Sequence, residues 1–231
     1  DRLAHAFILT GVRGVGKTST ARLIAKALNC VNGPTIDPCG VCDACVAITE
    51  GRHIDVVEMD AASNTGVDDV REIIEAVRYA AVSARFKVYI IDEVHMLSRN
   101  AFNALLKTLE EPPPHVKFLF ATTELGKVPV TVLSRCQRFD LRRIPSDMLA
   151  KHFGKICAAE CVYAEVEALN LIARAAEGSV RDGLSILDQA IAHADTEGDG
   201  AVRAATVREM LGLSDCSASF MQGSFPIPAR C

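Results

Sequence analysis

Gly11-Val12-Arg13-Gly14-Val15-Gly16-Lys17-Thr18 has the residue types and spacing of a loop that cradles a polyphosphate. Glycines let successive backbone N–H groups face an anion, and a helix opening at the end of the loop adds its dipole. In such a loop Lys17 reaches the β- and γ-phosphates of a nucleoside triphosphate and the Thr18 hydroxyl ligates Mg²⁺, with Ser19 next in line. By average residue usage, the pattern arises by chance in a chain of this size about once in a hundred.

A second pair of groups supplies what the loop lacks. The apolar run Val88-Tyr89-Ile90-Ile91 ends in Asp92-Glu93. Asp92, at the carboxyl end of a strand, is placed to hold Mg²⁺ directly or through water, and Glu93 to orient and polarise an attacking water. Taken without the loop, the same two acids read as residues favoured at a helix N-terminus. Phe118-Leu119-Phe120-Ala121 is followed by Thr122 and Thr123. Either hydroxyl could sense a γ-phosphate or position water, and both are ordinary strand residues.

Two arginines have a functional and a bland reading. Arg135, in Ser134-Arg135-Cys136, is either a surface arginine or one offered to a neighbouring subunit's phosphates, where it stabilises charge as the γ-phosphoryl departs. Arg181, in Gly178-Ser179-Val180-Arg181-Asp182, follows a capping pattern set by Ser179 and Asp182. In the first turn of a helix its charge opposes the dipole, which points to a nearby anion or to an ion pair with Asp182 or Asp188.

Four of the nine cysteines crowd together as Cys30-x8-Cys39-x2-Cys42-x2-Cys45. Prolines and glycines between them supply turns, so four thiolates can converge on one tetrahedral ion in a closed, structural site. Soft thiolates favour Zn²⁺, with an iron–sulfur cluster as the alternative. The odd cysteine total and the lack of a secretion signal speak for reduced thiols.

The elements that must position these groups alternate in type. Ala6 to Thr10 reads as a buried strand, and Thr18 to Asn29 sets Ala21, Ile24, Ala25 and Leu28 on one helical face. Val31 to Cys45, with Pro34 and Pro38, holds no long regular structure. Ile54 to Met59 is a candidate strand, Asp68 to Tyr79 an amphipathic helix and Asn100 to Glu110 a helix closed by prolines. Strands Val88–Ile91 and Lys117–Thr122 are apolar on both faces, as inside a parallel sheet covered by helices. The expectation is a doubly wound α/β domain with its ligand at the carboxyl ends of the strands. From Pro145 to Leu213 the pattern turns helical, with Val166–Ala176 and Gly183–Ala194 the clearest stretches, and no strand is read there.

Composition excludes little beyond this. At 49% hydrophobic and 23% charged the chain is an ordinary globular protein, and no apolar run approaches the roughly 18 residues a membrane span needs. A net charge of −4 makes no global case for nucleic-acid binding. Basic residues do gather at Lys127, Arg135, Arg138, Arg142, Arg143, Lys151 and Lys155, which reads first as a solvated face.

Taken together, these residues resemble the AAA+ clamp-loader ATPases of bacterial DNA polymerase III, the tau/gamma type. The resemblance rests on the loop from Gly11 to Thr18, the cysteine spacing, Asp60-Ala61-Ala62-Ser63 and Asp92-Glu93-Val94-His95-Met96-Leu97-Ser98. It continues through Leu105 to Pro112, Ala121-Thr122-Thr123, Ser134-Arg135-Cys136 and Gly178 to Asp182, and covers roughly residues 1 to 214. It implies a P-loop AAA+ domain with a parallel sheet over 1–143, a zinc-binding insertion near 30–45 and a small all-helical lid over 144–214. The residues 215–231 match nothing in the family and are expected to be a disordered or non-native tail.

The resemblance further implies ATP, Mg²⁺ and Zn²⁺ as ligands, Thr123 (or Thr122) as sensor 1, Arg181 as sensor 2 of the lid and Arg135 as an arginine finger acting in trans. Implied partners are other clamp-loader subunits in a hetero-pentameric ring, the sliding clamp and primer–template DNA, in the cytoplasm and with no membrane. The basic stretch near Arg138 to Arg143 then reads as interface or DNA-facing surface. Against the family pattern, the chain opens almost on the first strand, where relatives carry an earlier segment that helps hold adenine, and it stops before their collar domain. A branch-migration motor would lack the cysteine cluster, and a stator-type subunit would lack the competent loop.

Overall fold

The computed structural model describes residues 3–63, 67–196 and 200–213, and the tail expected to be disordered lies outside them. The chain divides into two compact units, residues 1–143 and 144–231.

The first unit is built on a five-stranded parallel sheet in the order β2-β3-β4-β1-β5. The strands are β1 (Ala6–Thr10), β2 (Val56–Asp60), β3 (Lys87–Asp92), β4 (Val116–Thr122) and β5 (Gln137–Asp140). Every residue of β1 and β4 is buried. Period-two alternation divides these apolar strands between two cores. Ile8, Tyr89, Ile91, Phe118 and Phe120 face the helices α3 (Val67–Val77) and α4 (Arg99–Glu110). Phe7, Leu9, Val88, Ile90 and Leu119 face α1 (Lys17–Asn29). Parallel strands joined by helices over both faces demand apolar residues on both sides, the signal legible in β1, β3 and β4.

α1 lies tight on the sheet because Ala21 and Ala25 are fully buried on its inner face. α4 opens on Ser98, whose Oγ accepts the Ala101 N–H at 3.2 Å. Chain order places β1 beside β4 and sends β5 to its far side, so the switch in winding direction falls at the carboxyl end of β1, where ligands of such sheets bind.

Three local features depart from the sequence expectation. β5 is a strand, although Arg138 reads as part of a basic surface. It is an edge strand with all four residues exposed, so burial leaves no alternating signature. The segment 31–45 is irregular only as far as Cys42, after which α2 (Asp43–Thr49) begins and carries Cys45. β2 starts at Val56 and not at Ile54, because Asp55 is turned inward to hold the segment 82–84.

After α5 (Val130–Leu133), a short helix between β4 and β5, the remaining helices belong to the second unit. α6 (Ser146–Ala159), α7 (Val166–Ala175), α8 (Val180–Thr196) and α9 (Ala204–Met210) pack Leu149, Phe153, Ile172, Leu187 and Val207 into one core. It also contains β6 (Tyr163–Ala164) and β7 (Ala201–Val202), a two-residue parallel pair where no strand is expected. Two residues are too few for any periodicity to show. α8 opens on Ser179, whose Oγ accepts the Asp182 N–H at 3.2 Å, as the capping pattern requires. Among the described residues no helix is long and apolar enough to cross a membrane.

Candidate functional site

The loop between β1 and α1 owes its shape to glycine. Gly14 and Gly16 stand at φ 71° and 97°, in the left-handed region, and Gly16 is the N-cap of α1. A Cβ at Gly11 would lie 2.6 Å from the Leu141 carbonyl oxygen, so only glycine lets the loop pass β5's exit. A Cβ on Gly16 would meet nothing within 4 Å, leaving open space at the helix N-terminus. Lys17 is buried, and its Nζ donates to the carbonyls of Gly11 and Val12 at 3.2 Å each. Those are loop oxygens that an anion's oxygens can replace.

The carboxyl ends of β3 and β4 face this loop. The Thr18 hydroxyl donates to Asp92 Oδ2 at 2.5 Å, while Asp92 Oδ1 accepts the N–H of Glu93 at 2.8 Å. A hydroxyl and a carboxylate in contact form a hard-oxygen donor set of the kind Mg²⁺ takes, with room left for water and phosphate oxygens. Glu93 has φ 45°, a left-handed backbone in a residue that is not glycine. Such conformations cost about 1–3 kcal/mol and persist only where the surroundings impose them. Here the surroundings are hydrogen bonds: Glu93 Oε2 accepts from the Thr123 hydroxyl at 3.0 Å and from the Thr123 N–H at 3.3 Å.

Lys17, Thr18, Asp92, Glu93 and Thr123 therefore meet at one end of the sheet. Thr122 is fully buried and turned the other way, its Oγ1 2.9 Å from His95 Nδ1 and accepting the Glu124 N–H at 3.0 Å. Thr123 is exposed and touches Glu93, which separates the two candidate threonines. Glu124 is held below the usual carboxylate range by its hydrogen bond from Lys127.

Arg135 is not among the gathered groups. Its guanidinium donates to Glu110 Oε1 at 2.7 Å and to the Thr131 carbonyl at 2.6 Å. Arg181 belongs to the first turn of α8 in the second unit. The basic stretch is partly neutralised: Lys127 pairs with Glu124, Arg135 with Glu110 and Arg138 with Asp140. Two groups of the site went unassigned in the sequence. Asp140 accepts from the Thr10 hydroxyl at the end of β1, and His95 sits between the ends of β3 and β4. The signal for His95 was its place two residues after Glu93, legible only once the short 3-10 turn Val94–Met96 is known.

The four cysteines converge at the far end of α1. The sulfurs of Cys30, Cys39, Cys42 and Cys45 all lie within 4.8 Å of one another, with Cys30 and Cys39 3.6 Å apart. Metal–sulfur bonds of about 2.3 Å in a tetrahedron set sulfurs about 3.8 Å apart, so the spread suits one ion. An iron–sulfur cubane, whose thiolates each bind a different iron, needs them farther apart. The thiols are uneven: a backbone hydrogen bond with Val31 draws Cys42 down to about 6, and burial pushes Cys45 up to about 12. Arg85 ties the module to the sheet, donating to the carbonyls of Cys30 at 3.2 Å, Val31 at 3.0 Å and Gly33.

Residues 1–145 match the sequence family described as DNA polymerase III, delta subunit, and residues 148–196 match the DNA polymerase III clamp loader subunit, ATPase lid domain. The chain is 56% identical to DNA polymerase III subunit tau of Escherichia coli (strain K12) over 214 residues, 93% of this chain and 33% of that protein. It is 55% identical to subunit tau/gamma of Haemophilus influenzae over 215 residues, 93% of this chain and 31% of that one. It is also 48% identical to subunit gamma of Buchnera aphidicola over 220 residues, 95% of this chain and 60% of that one. The chain thus spans about a third of the tau relatives it matches. In three dimensions it is similar to the Thermotoga maritima RuvB Holliday junction branch migration motor, with a TM-score of 0.65 at 18% identity over 91% of this chain and 62% of that one. That likeness establishes the AAA+ fold.

Proposed function

The chain belongs to the DNA polymerase III clamp-loader subunit family, with tau/gamma subunits among its relatives, and from that premise we propose that it binds and hydrolyses ATP as a loader's motor subunit. The observation that carries the reading is the Thr18 hydroxyl set 2.5 Å from Asp92 at the mouth of the glycine loop. A stator-type subunit needs no such arrangement.

In this reading the backbone N–H groups of Gly11 to Thr18, with Ser19, enclose the triphosphate, and Lys17 exchanges its two loop carbonyls for β- and γ-phosphate oxygens. Thr18 and Asp92 would hold Mg²⁺, which when bound would draw charge off those oxygens. Glu93 accepts a proton from water as the water oxygen bonds to the γ-phosphorus and the bond to the ADP oxygen breaks. Thr123 holds Glu93 and stands next to the departing phosphate. Arg135 acts in trans on a neighbouring subunit's nucleotide, and Arg181 is the lid's sensor 2. Cys30, Cys39, Cys42 and Cys45 would hold Zn²⁺ with no open position left, a site that would serve the fold. The proposed setting is a bacterial cytoplasmic ring of related subunits that opens a sliding clamp and sets it on primer–template DNA.

The test is Mg²⁺-dependent ATP hydrolysis by the full-length protein assembled with its partner subunits. Turnover should rise with clamp and primed DNA, and Lys17→Ala should reduce it at least a hundredfold. Wild-type turnover from Lys17→Ala would reject the motor reading.

A further inference from the structure

Glu93 must present one carboxylate oxygen to water, and the structure anchors the other. Oε2 accepts from Thr123 twice, at 3.0 and 3.3 Å, and lies 3.3 Å from His95 Nδ1. The His95 ring is 6% exposed, and its backbone is fixed by the 3-10 turn, where Met96 N–H donates to the Glu93 carbonyl at 2.8 Å. The same Nδ1 lies 2.9 Å from Thr122 Oγ1, and Nε2 lies 3.6 Å from Glu124 Oε1. The hydrogen bond of Nδ1 is to Thr122 Oγ1, and the Glu93 carboxylate lies beside it as a close charge contact. The imidazole thus joins the end of β3 to the end of β4 at the point where the strained Glu93 backbone needs support.

We infer that His95 is a positioning residue for the water-orienting carboxylate: its imidazole, anchored on Thr122, packs against Glu93 Oε2 at 3.3 Å and aligns Oε1 toward the γ-phosphate. The inference rests on the reading of Glu93 given above. The side-chain partners of His95 are Thr122, Glu93 and Glu124, none of them in the glycine loop. Its effect falls on the rate of the chemical step and not on ATP binding, because none of its contacts is to the phosphate loop. A misplacement of about 1 Å in a reacting group costs up to about a hundredfold in rate.

The experiment is steady-state ATP hydrolysis by the full-length protein in the assembled loader, with His95→Ala, His95→Asn, His95→Gln, Glu93→Gln and the double variant His95→Ala/Glu93→Gln. We expect His95→Ala to lower kcat by about ten- to a hundredfold with KM within threefold of wild type. His95→Asn, whose amide nitrogen takes the place of Nδ1, should recover most of that loss, and His95→Gln, which reaches only toward Nε2, should not. The double variant should be no slower than Glu93→Gln alone, since two residues acting as a unit do not add. Wild-type kcat from His95→Ala beside an inactive Glu93→Gln overturns the inference and leaves the motor reading standing. So does rescue by glutamine and not asparagine, or a double variant slower than Glu93→Gln. Wild-type turnover from Glu93→Gln itself sinks the reading of Glu93 and this inference with it.

Discussion

Asp55→Asn should destabilise the first unit, and the loss should depend on pH in a direction the structure fixes. Asp55 is a fully buried carboxylate just before β2. Its Oδ1 accepts the Val82 N–H at 2.8 Å, and Oδ2 accepts the N–H groups of Ser83 and Ala84 at 2.8 and 2.9 Å and the Ser83 hydroxyl at 3.1 Å. An asparagine can keep its oxygen on the side with three donors, but its NH₂ then faces the Val82 N–H. One donor left without an acceptor costs about 1–3 kcal/mol. The three retained bonds lose their charge, at up to about 1 kcal/mol each, partly offset by no longer burying an ion. The expected loss at pH 7 is about 2–3 kcal/mol, read from urea unfolding midpoints at constant m. Burial alone would raise the pKa of Asp55, and the three backbone N–H groups with the Ser83 hydroxyl more than reverse it, so the folded value lies below the ordinary one. A depressed folded pKa contributes stability that is complete above the unfolded pKa of about 3.9 and fades as pH falls through the folded value. The gap between wild type and variant should therefore narrow below about pH 4. Equal midpoints at pH 7, or a gap that stays constant down to pH 3, would refute the reasoning.

Gly183→Ala in α8 places a Cβ 2.3 Å from Phe153 Cζ and 3.0 Å from Ala176 Cβ, both in buried residues. Overpacking of about 1–3 kcal/mol should outweigh the gain of up to about 1 kcal/mol in helix propensity, and thermal melts showing a stabilised variant would contradict that sign. Elemental analysis should find about one zinc per chain, and removing it by chelation or by Cys45→Ser should lower the melting temperature while ATP affinity stays within twofold. Iron and sulfide in the preparation would overturn the choice of metal.

What the sequence disclosed depended on how many neighbours each residue has. Strand runs buried on both faces, such as Val88–Ile91 and Phe118–Ala121, are apolar throughout, and they were legible. The loop from Gly11 to Thr18 was legible because its backbone admits few residue types. β5 was not, because an edge strand with one pairing partner and a wet face tolerates Gln137 and Arg138. β6 and β7 were not, because two-residue strands are fixed by tertiary pairing alone. The site divided likewise. Asp92 and Glu93 follow a strand and could be named. His95 owes its position to Thr122, far away in sequence, and no local pattern connects them. The pairing of Arg135 with Glu110 was equally out of reach, since charge alone does not say which acid an arginine meets.

The thirteen residues of α1 separate the two sites of the first unit. A helix of that length is about 20 Å long and runs back along the sheet from the phosphate loop to Cys30. Around Cys30 the anchors all belong to the amino ends of strands. Asn29 exchanges hydrogen bonds with Phe86, just before β3, at 2.9 and 3.0 Å. Arg85 holds the carbonyls of the cysteine segment, and Asp55, just before β2, holds the turn that presents Arg85. The groups proposed to meet phosphate and water all sit at the carboxyl ends of β1, β3 and β4. Residues at one end can loosen without moving donors at the other, because Ala21, Ala25 and Leu28 keep α1 locked on the sheet between them. Metal loss should therefore act on folding and leave the chemistry of the surviving folded molecules intact. A folded, zinc-free protein with slowed turnover would mean that α1 transmits strain along its length, and the division of labour between the two ends of the sheet would fail.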